Sequence, residues 1–203
     1  MTDRFHSGER ELQDRFDSRR LADRVGNIMH ETFSAGDVEF LGRMDMFFLA
    51  TSDTDGNLDC SYKGGEPGFI RVLDERTLAY PSYDGNGMFM SMGNVLQHPK
   101  VGMLFVDFDL QRRMRVNGTA TIHYEHALMA EYTEAQFIVE VRADTIFANC
   151  PRYIHKMALV ERSVFVPKSA CETPDPEWKD HFEEALPLAQ QERRAAQRGA
   201  TAS

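Results

Sequence analysis

From Met46 onward the chain consists of short runs, five to eight residues rich in Phe, Val, Ile, Leu and Thr, set apart by Gly, Pro, Asp and Asn. β-Branched and aromatic side chains fit a pleated, half-buried surface and turn residues punctuate it, so this pattern dictates an antiparallel sheet. Strands are expected near 46–52, 58–63, 69–74, 77–81, 101–107, 112–122, 137–147 and 158–166. Asp55-Gly56 predicts a two-residue type I′ hairpin between the first two, because Gly tolerates the positive φ such a turn requires. Short helices are expected over about 88–97 and about 125–135. The fold class is therefore mainly β with flanking helices. Eight short strands laid flat would expose a long edge, and closing or partly closing them into a barrel removes it.

A chain of 203 residues slightly exceeds the ~150 of a typical domain, which favours one compact domain with helical extensions. The expected boundaries are an N-terminal helical arm over 1–40, a barrel domain over 41–170 and a C-terminal helical tail over 171–203. In the arm, Leu12, Phe16, Leu21, Val25, Ile28 and Phe33 recur at roughly helical spacing among Arg, Asp and Glu, predicting an amphipathic helix that covers the core. The tail turns polar at Pro174, with a helix expected from Glu177 to Gln197.

Charge and cysteine usage narrow the partners. The balance of 23 basic against 32 acidic side chains, a net charge of −9, repels phosphate backbones and anionic membranes at long range, so nucleic acid is not expected as a partner. A local group of arginines can still hold a small anion, because distant charges are screened beyond ~8 Å. Cys60, Cys150 and Cys171 form no C-x-x-C pair, which predicts neither a disulfide framework nor a zinc ribbon and fits a reducing cytoplasm. No apolar run approaches the ~18 residues of a membrane span, and the N-terminus has no apolar signal-peptide region.

The sequence contains no G-x-x-x-x-G-K-[ST], G-x-S-x-G, H-E-x-x-H or G-x-G-x-x-G, so P-loop, serine-hydrolase, zincin and Rossmann chemistries have no motif to rest on. His123, Glu125 and His126 have the chemistry of metal ligands, but they straddle a strand end and read as surface polar residues; no metal is expected. In Phe69-Ile70-Arg71-Val72-Leu73 the period of two puts Arg71 on the same face as two apolar residues, where its guanidinium needs an anion. That anion is either an internal carboxylate or a ligand phosphate held by the bidentate fork. Pro81-Ser82-Tyr83-Asp84-Gly85-Asn86-Gly87 then leads into a helix that carries Ser91 and Asn94 on one face. Glycines that admit a ligand to the backbone, followed by a helix N-terminus, form a phosphate cradle or a purely structural turn. Arg113 and Arg115 share one strand face opposite Met114 and Val116, as a solvated edge or as donors to a polar ring. Cys150 reads as a buried, inert thiol, with a reactive thiolate lowered by Arg152 as the alternative.

Taken in order, Arg71-Val72-Leu73, Thr77–Tyr83, Asp84–Asn94, His98–Phe105 and Arg113-Met114-Arg115-Val116-Asn117-Gly118 resemble the pyridoxamine 5′-phosphate oxidase-like family over about residues 40–166, with Asn149-Cys150-Pro151-Arg152-Tyr153-Ile154 similar to its C-terminal flavin-side loop. The resemblance implies an antiparallel Greek-key split β-barrel that forms a homodimer and holds FMN in two sites at the subunit interface. It implies that Arg71, in strand with Val72, holds the flavin phosphate together with the Ser91 turn and Asn94. Ser82 and Tyr83 would present backbone to the flavin, Arg113 beside Arg115 would reach the ring, Lys63, Gly64 and Gly65 would line the isoalloxazine, and Cys150 and Arg152 would lie on the loop beside it. Met90 replaces an arginine common among relatives, Arg76 stands where the name-giving oxidases have a substrate lysine, and their C-terminal arginine-histidine motif has no counterpart. The implied activity is an FMN-dependent oxidation or reduction of another small molecule, with NAD(P)H as a possible donor and no catalytic side chain nominated. A non-catalytic flavin store or sensor, a true pyridoxamine 5′-phosphate oxidase, and a relative holding deazaflavin or haem are the alternatives.

Overall fold

A computed structural model describes residues 4–169 and 171–201, in two compact units, one running through Val160 and one from Glu161. The first contains three short helices, α1 (Ser7–Arg15), α2 (Arg19–Gly26) and α3 (Ala35–Arg43), followed by strands β1 (Met46–Ser52), β2 (Leu58–Gly64), β3 (Arg71–Val72) and β4 (Thr77–Ser82). Helix α4 (Met90–Gln97), β5 (Lys100–Asp107), β6 (Arg112–His123), a 3-10 turn over Ala127–Ala130 and β7 (Phe137–Asn149) complete it. The seven strands form one antiparallel sheet in the order β2-β1-β5-β6-β7-β4-β3. Alternation along β1 sends Phe47, Leu49 and Thr51 inward, as the period of two requires. Phe47 then meets Tyr80 of β4 edge-on with centroids 4.9 Å apart, and Phe105 of β5 at 5.3 Å. Since β1 and β4 are far apart in strand order, these contacts exist only because the sheet curls around them. It does not close: β2 and β3 each pair along one side, which makes the fold a split barrel.

Several local expectations are corrected. The β1–β2 pairing runs from Met46↔Gly64 to Ser52↔Leu58, so the connection is a five-residue loop and not a two-residue type I′ turn. Asp53 organises it by accepting the Asp55 and Asn57 amides at 2.9 Å each, and Gly56 alone takes a positive φ, +85°. An Asp that captures nearby amides favours this wider turn over the tight one. β3 is only two residues long because Phe69 and Ile70 are both buried, which breaks the period of two. The eighth strand at 158–166 does not form; Leu159 and Val160 are exposed, and no sheet edge pairs with them. The helix expected over 125–135 shrinks to the 3-10 turn, and Glu134 beyond it adopts φ +63°. The amphipathic arm is broken by Asp17 at φ 47°, and Leu12, Phe16, Leu21, Val25 and Ile28 are exposed instead of covering the core. Among the described residues no helix is long and apolar enough to cross a membrane. In the second unit the tail helix divides into a 3-10 segment, Glu177–Ala185, and α5 (Leu188–Thr201), where the buried Arg194 is held by Asp175 and Asp180.

Two features position the region described next. His30 exchanges backbone hydrogen bonds with Ile146 of β7, 3.0 and 2.7 Å, pinning the chain just before α3. Ser34 then caps α3 through a box with Asp37, whose carboxylate also meets His30 Nε2 at 2.9 Å. The β6–β7 register shifts between Asn117 and Gly118, where a Cβ on Gly118 would lie 2.3 Å from the Arg142 carbonyl oxygen. Only glycine permits that approach. Gly118→Ala should therefore lower stability by about 2 kcal/mol or more in urea denaturation, whereas Gly42→Ala in α3, with open space around it, should be neutral or stabilising by up to ~1 kcal/mol.

Candidate functional site

The sequence-nominated residues fall into separate groups. Ser91, buried in the first turn of α4, donates to Asp59 Oδ2 at 2.7 Å and shares a 2.7 Å hydrogen bond with Ser61 of β2. Asn94 donates to Thr51 of β1 at 3.1 Å. The two do share one helix face, and that face is used to seat α4 on β1 and β2. Asp59, Ser61 and Lys63 alternate onto the same half-buried side of β2. Burial lowers the Lys63 amine below its ordinary value, with the Asp59 charge opposing. Gly64 follows on β2, and Gly65 is buried with its missing Cβ space filled by the Phe69 ring.

Arg71 extends from β3 to Glu131, Nη2 to Oε2 2.9 Å, both half-exposed. An internal carboxylate thus supplies the anion its position requires. Its charge also acts on Tyr132, whose phenol burial pushes up. Val72 pairs with Leu78, and Ser82 ends β4 opposite Phe137 while its carbonyl accepts from the Gln136 amide. Tyr83 is pushed up to about 12, chiefly by burial and then by the charges of Tyr132, Glu134 and Glu66.

A second group surrounds a cavity of about 780 Å³. One wall is the start of α3, with Ser34, Asp37 and Phe40; the others are the β5–β6 turn with Arg112 and Arg113 and the segment from Ala148 to Ile154. Gln111 and Tyr153, both non-glycine residues at positive φ, stand in these walls. Gln111 Nε2 donates to the Ile154 carbonyl at 2.7 Å and ties two walls together. Arg113 and Asn149 are register partners across β6 and β7. Arg113 Nε and Asn149 Oδ1 are buried without a hydrogen-bond partner, a donor and an acceptor side by side whose burial is costly until something pairs with them. Arg115, two residues on, lies over the Phe147 ring and outside the cavity.

The structure therefore brings Arg113 and Arg152 to one cavity, with Cys150 between two of its lining residues. It does not bring Lys63, Gly64, Gly65, Arg71, Val72, Ser82, Tyr83, Ser91, Asn94 or Arg115 to that cavity. Arg112, Asn149 and the α3 residues were missed by sequence reasoning. Asn149 lies inside the quoted Asn149–Ile154 motif, so a signal for it existed, whereas nothing local marks the α3 residues of the wall, 72 or more residues away from Arg112. Cys150 corrects its expectation, being exposed and not buried. The Arg152 backbone N–H, then its side chain, and the charges of Arg152 and Arg113 hold the thiol below its ordinary value. His123 and His126 both approach Glu140, at 3.3 and 3.0 Å.

A family model described as pyridoxamine 5′-phosphate oxidase matches residues 33–163, more than half of the chain. No curated protein matches. Among solved structures, a Lactobacillus delbrueckii protein provisionally named a pyridoxamine 5′-phosphate oxidase has 23% identity over 58% of this chain and 95% of its own, with a TM-score of 0.48. HupZ from Group A Streptococcus has 18% identity over 62% and 100%, TM-score 0.47. An FMN-binding protein from Syntrophomonas wolfei has 9% identity over 70% and 95%, TM-score 0.44.

The thiol geometry predicts that iodoacetamide alkylates Cys150 faster at pH 7 than Cys60 and Cys171, which are exposed as well. A lowered thiol value means a larger thiolate fraction at a given pH, so the Cys150 rate should level off at a lower pH than that of an ordinary thiol. Arg152→Ala, which keeps the backbone N–H, should narrow that difference without abolishing it in a mass-spectrometric time course, and equal rates for all three thiols in the parent protein would contradict the assignment.

Proposed function

Since the chain belongs to the pyridoxamine 5′-phosphate oxidase family, matched over residues 33–163, we propose that it is an FMN-dependent oxidoreductase of a small molecule, with its flavin held between two copies of the chain. The observation that carries this reading is the buried pair of Arg113 Nε and Asn149 Oδ1, both without a hydrogen-bond partner, on two residues that line one cavity. The pyrimidine edge of a flavin alternates carbonyl acceptors with an N–H donor, and a fixed donor beside a fixed acceptor complements such an edge. The residues present thus fit the ring. When bound, the flavin supplies the transfer of electrons or hydride, and the protein supplies binding, orientation and electrostatics. Arg113 would meet the ring edge with a positive charge and a hydrogen-bond donor, and Asn149 would supply the acceptor beside it. Phe40, Met114 and Ile154 supply the cavity with apolar surface.

Phosphate binding would rest on Arg71, after exchange of its surface partner Glu131 for the ligand. Ser91 is already committed to Asp59, so its turn contributes backbone amides more than its hydroxyl. Because the Arg71 and Ser91 groups line no part of the cavity, a flavin that uses both draws them from different copies, the arrangement of a two-fold dimer. Such pairing would also cover apolar side chains left in water by the single chain, among them Leu58, Tyr62, Met88 and Met90. Arg76 argues against the name-giving substrate: it is held by Glu31 at 2.9 Å and by the Ala143 carbonyl, and so cannot act as a free substrate anchor.

Equilibrium titration should show about one FMN per chain, and sedimentation at micromolar concentration about twice 23.2 kDa. Arg71→Ala should weaken FMN by roughly tenfold to a hundredfold while sparing riboflavin, the loss of one charge-assisted bond. Arg113→Ala should weaken both alike. No FMN binding at tens of micromolar would end the flavin reading. In anaerobic mixing, NAD(P)H should bleach the bound flavin and pyridoxamine 5′-phosphate should not. Bleaching by the latter alone would restore the name-giving activity, and bleaching by neither would favour a binding module.

A further inference from the structure

Arg112, Arg113 and Arg152 line the same cavity, and none of them has an ion-pair partner among the described residues. In a chain with a net charge of −9, Arg19, Arg43, Arg71, Arg76, Arg193 and Arg194 are paired with carboxylates, and other arginines without such a pair, Arg115 among them, lie outside this cavity. Arg112 lies over the Phe40 ring at 5.6 Å and Arg152 over the Tyr153 ring at 6.0 Å, contacts that orient a guanidinium without neutralising it. The nearest carboxylates are spent elsewhere. Asp107, opposite Arg112 in the β5–β6 register, accepts the Leu110 amide and faces Arg43. Asp37, the single carboxylate in the cavity wall, is held by the Ser34 amide and hydroxyl and by His30. Three guanidiniums against one committed carboxylate leave the cavity with surplus positive charge and donors in forked geometry.

We infer that this cavity binds a small organic anion, its carboxylate or phosphate gripped by Arg112 and Arg152 and its planar or apolar body lying over Phe40, Met114 and Ile154. Arg113 and Asn149 are reserved for the ring edge of the flavin, which leaves Arg112 and Arg152, the latter also hydrogen-bonded to the Cys150 thiol, to select what approaches it. As the flavin's reaction partner, this anion rests on the flavin reading given above; as a binding site, it rests on the cavity alone. The volume of about 780 Å³ is that of a small-molecule site.

The test titrates benzoate, phenyl phosphate and their neutral relative benzamide into the full chain with and without FMN, by calorimetry and, in the loaded protein, by the shift in flavin absorbance. Benzoate or phenyl phosphate should bind at least about tenfold more tightly than benzamide, and the better of the two identifies the anionic group. Arg112→Gln and Arg152→Gln should each weaken that probe about tenfold with FMN affinity unchanged. Arg152→Lys should retain part of the binding, and Arg24→Gln, on the exposed face of α2, should leave it intact. Equal binding of benzamide, or no loss in the two glutamine variants, overturns the inference. A parallel loss of FMN and probe in those variants also overturns it and assigns the arginines to the cofactor. Discrimination among the probes by a protein that fails to bind FMN ends the flavin reading and leaves the anion site standing.

Discussion

Phe47 touches aromatic rings from three directions: Phe69 in the β2–β3 connection, Tyr80 in β4 and Phe105 in β5. Tyr80, Phe47 and Phe105 are the largest fully buried side chains among the described residues, and burying such rings contributes strongly to holding the sheet. Pulling β1 and β4 around one cluster curls seven strands that a linear pairing would leave open. The curl stops short of closure because β3 is two residues long and β2 turns its inner face to α4 instead of to another strand. Every candidate functional residue is placed by that decision. Ser91 and Asn94 are consumed in attaching α4, and Arg71 lies at the short free edge.

The second organising fact is how charge is distributed between paired and unpaired groups. A surface ion pair contributes little to stability, typically 0–1 kcal/mol, so the pairs of Arg71 with Glu131 and Arg76 with Glu31 are better read as statements of availability. Arg71 can exchange a half-exposed carboxylate for a ligand anion at small cost, while Arg76 has a backbone carbonyl as well. The arginines around the α3 cavity have no such partner. The capping of α3 is central to this: Asp37, the one carboxylate in the cavity wall, is held by Ser34 and His30 instead of pairing with an arginine, and His30 is in turn fixed by its backbone exchange with β7.

What the amino-acid order determines alone is local. The mainly β class, six of the strand positions to within one or two residues, α4 and the antiparallel β1–β2 pair all follow from period-two burial and turn chemistry, which act over a few residues. The same reasoning failed where a distant contact or a nearby side chain decided: at Asp53, whose carboxylate widened a turn; at Phe69 and Ile70, both drawn into the aromatic cluster; and at 158–166, a run of strand-forming residues with no edge to join. The site followed the same division. Arg71, Arg113 and Arg152 were legible as cations in suitable motifs, and the motif order carried the family. Whether each cation is spent or free was settled only by the tertiary structure, because Glu131, Phe40 and Asn149 reach Arg71, Arg112 and Arg113 through sheet curvature and strand register, and no local pattern encodes a neighbour that is 36 or more residues away along the chain.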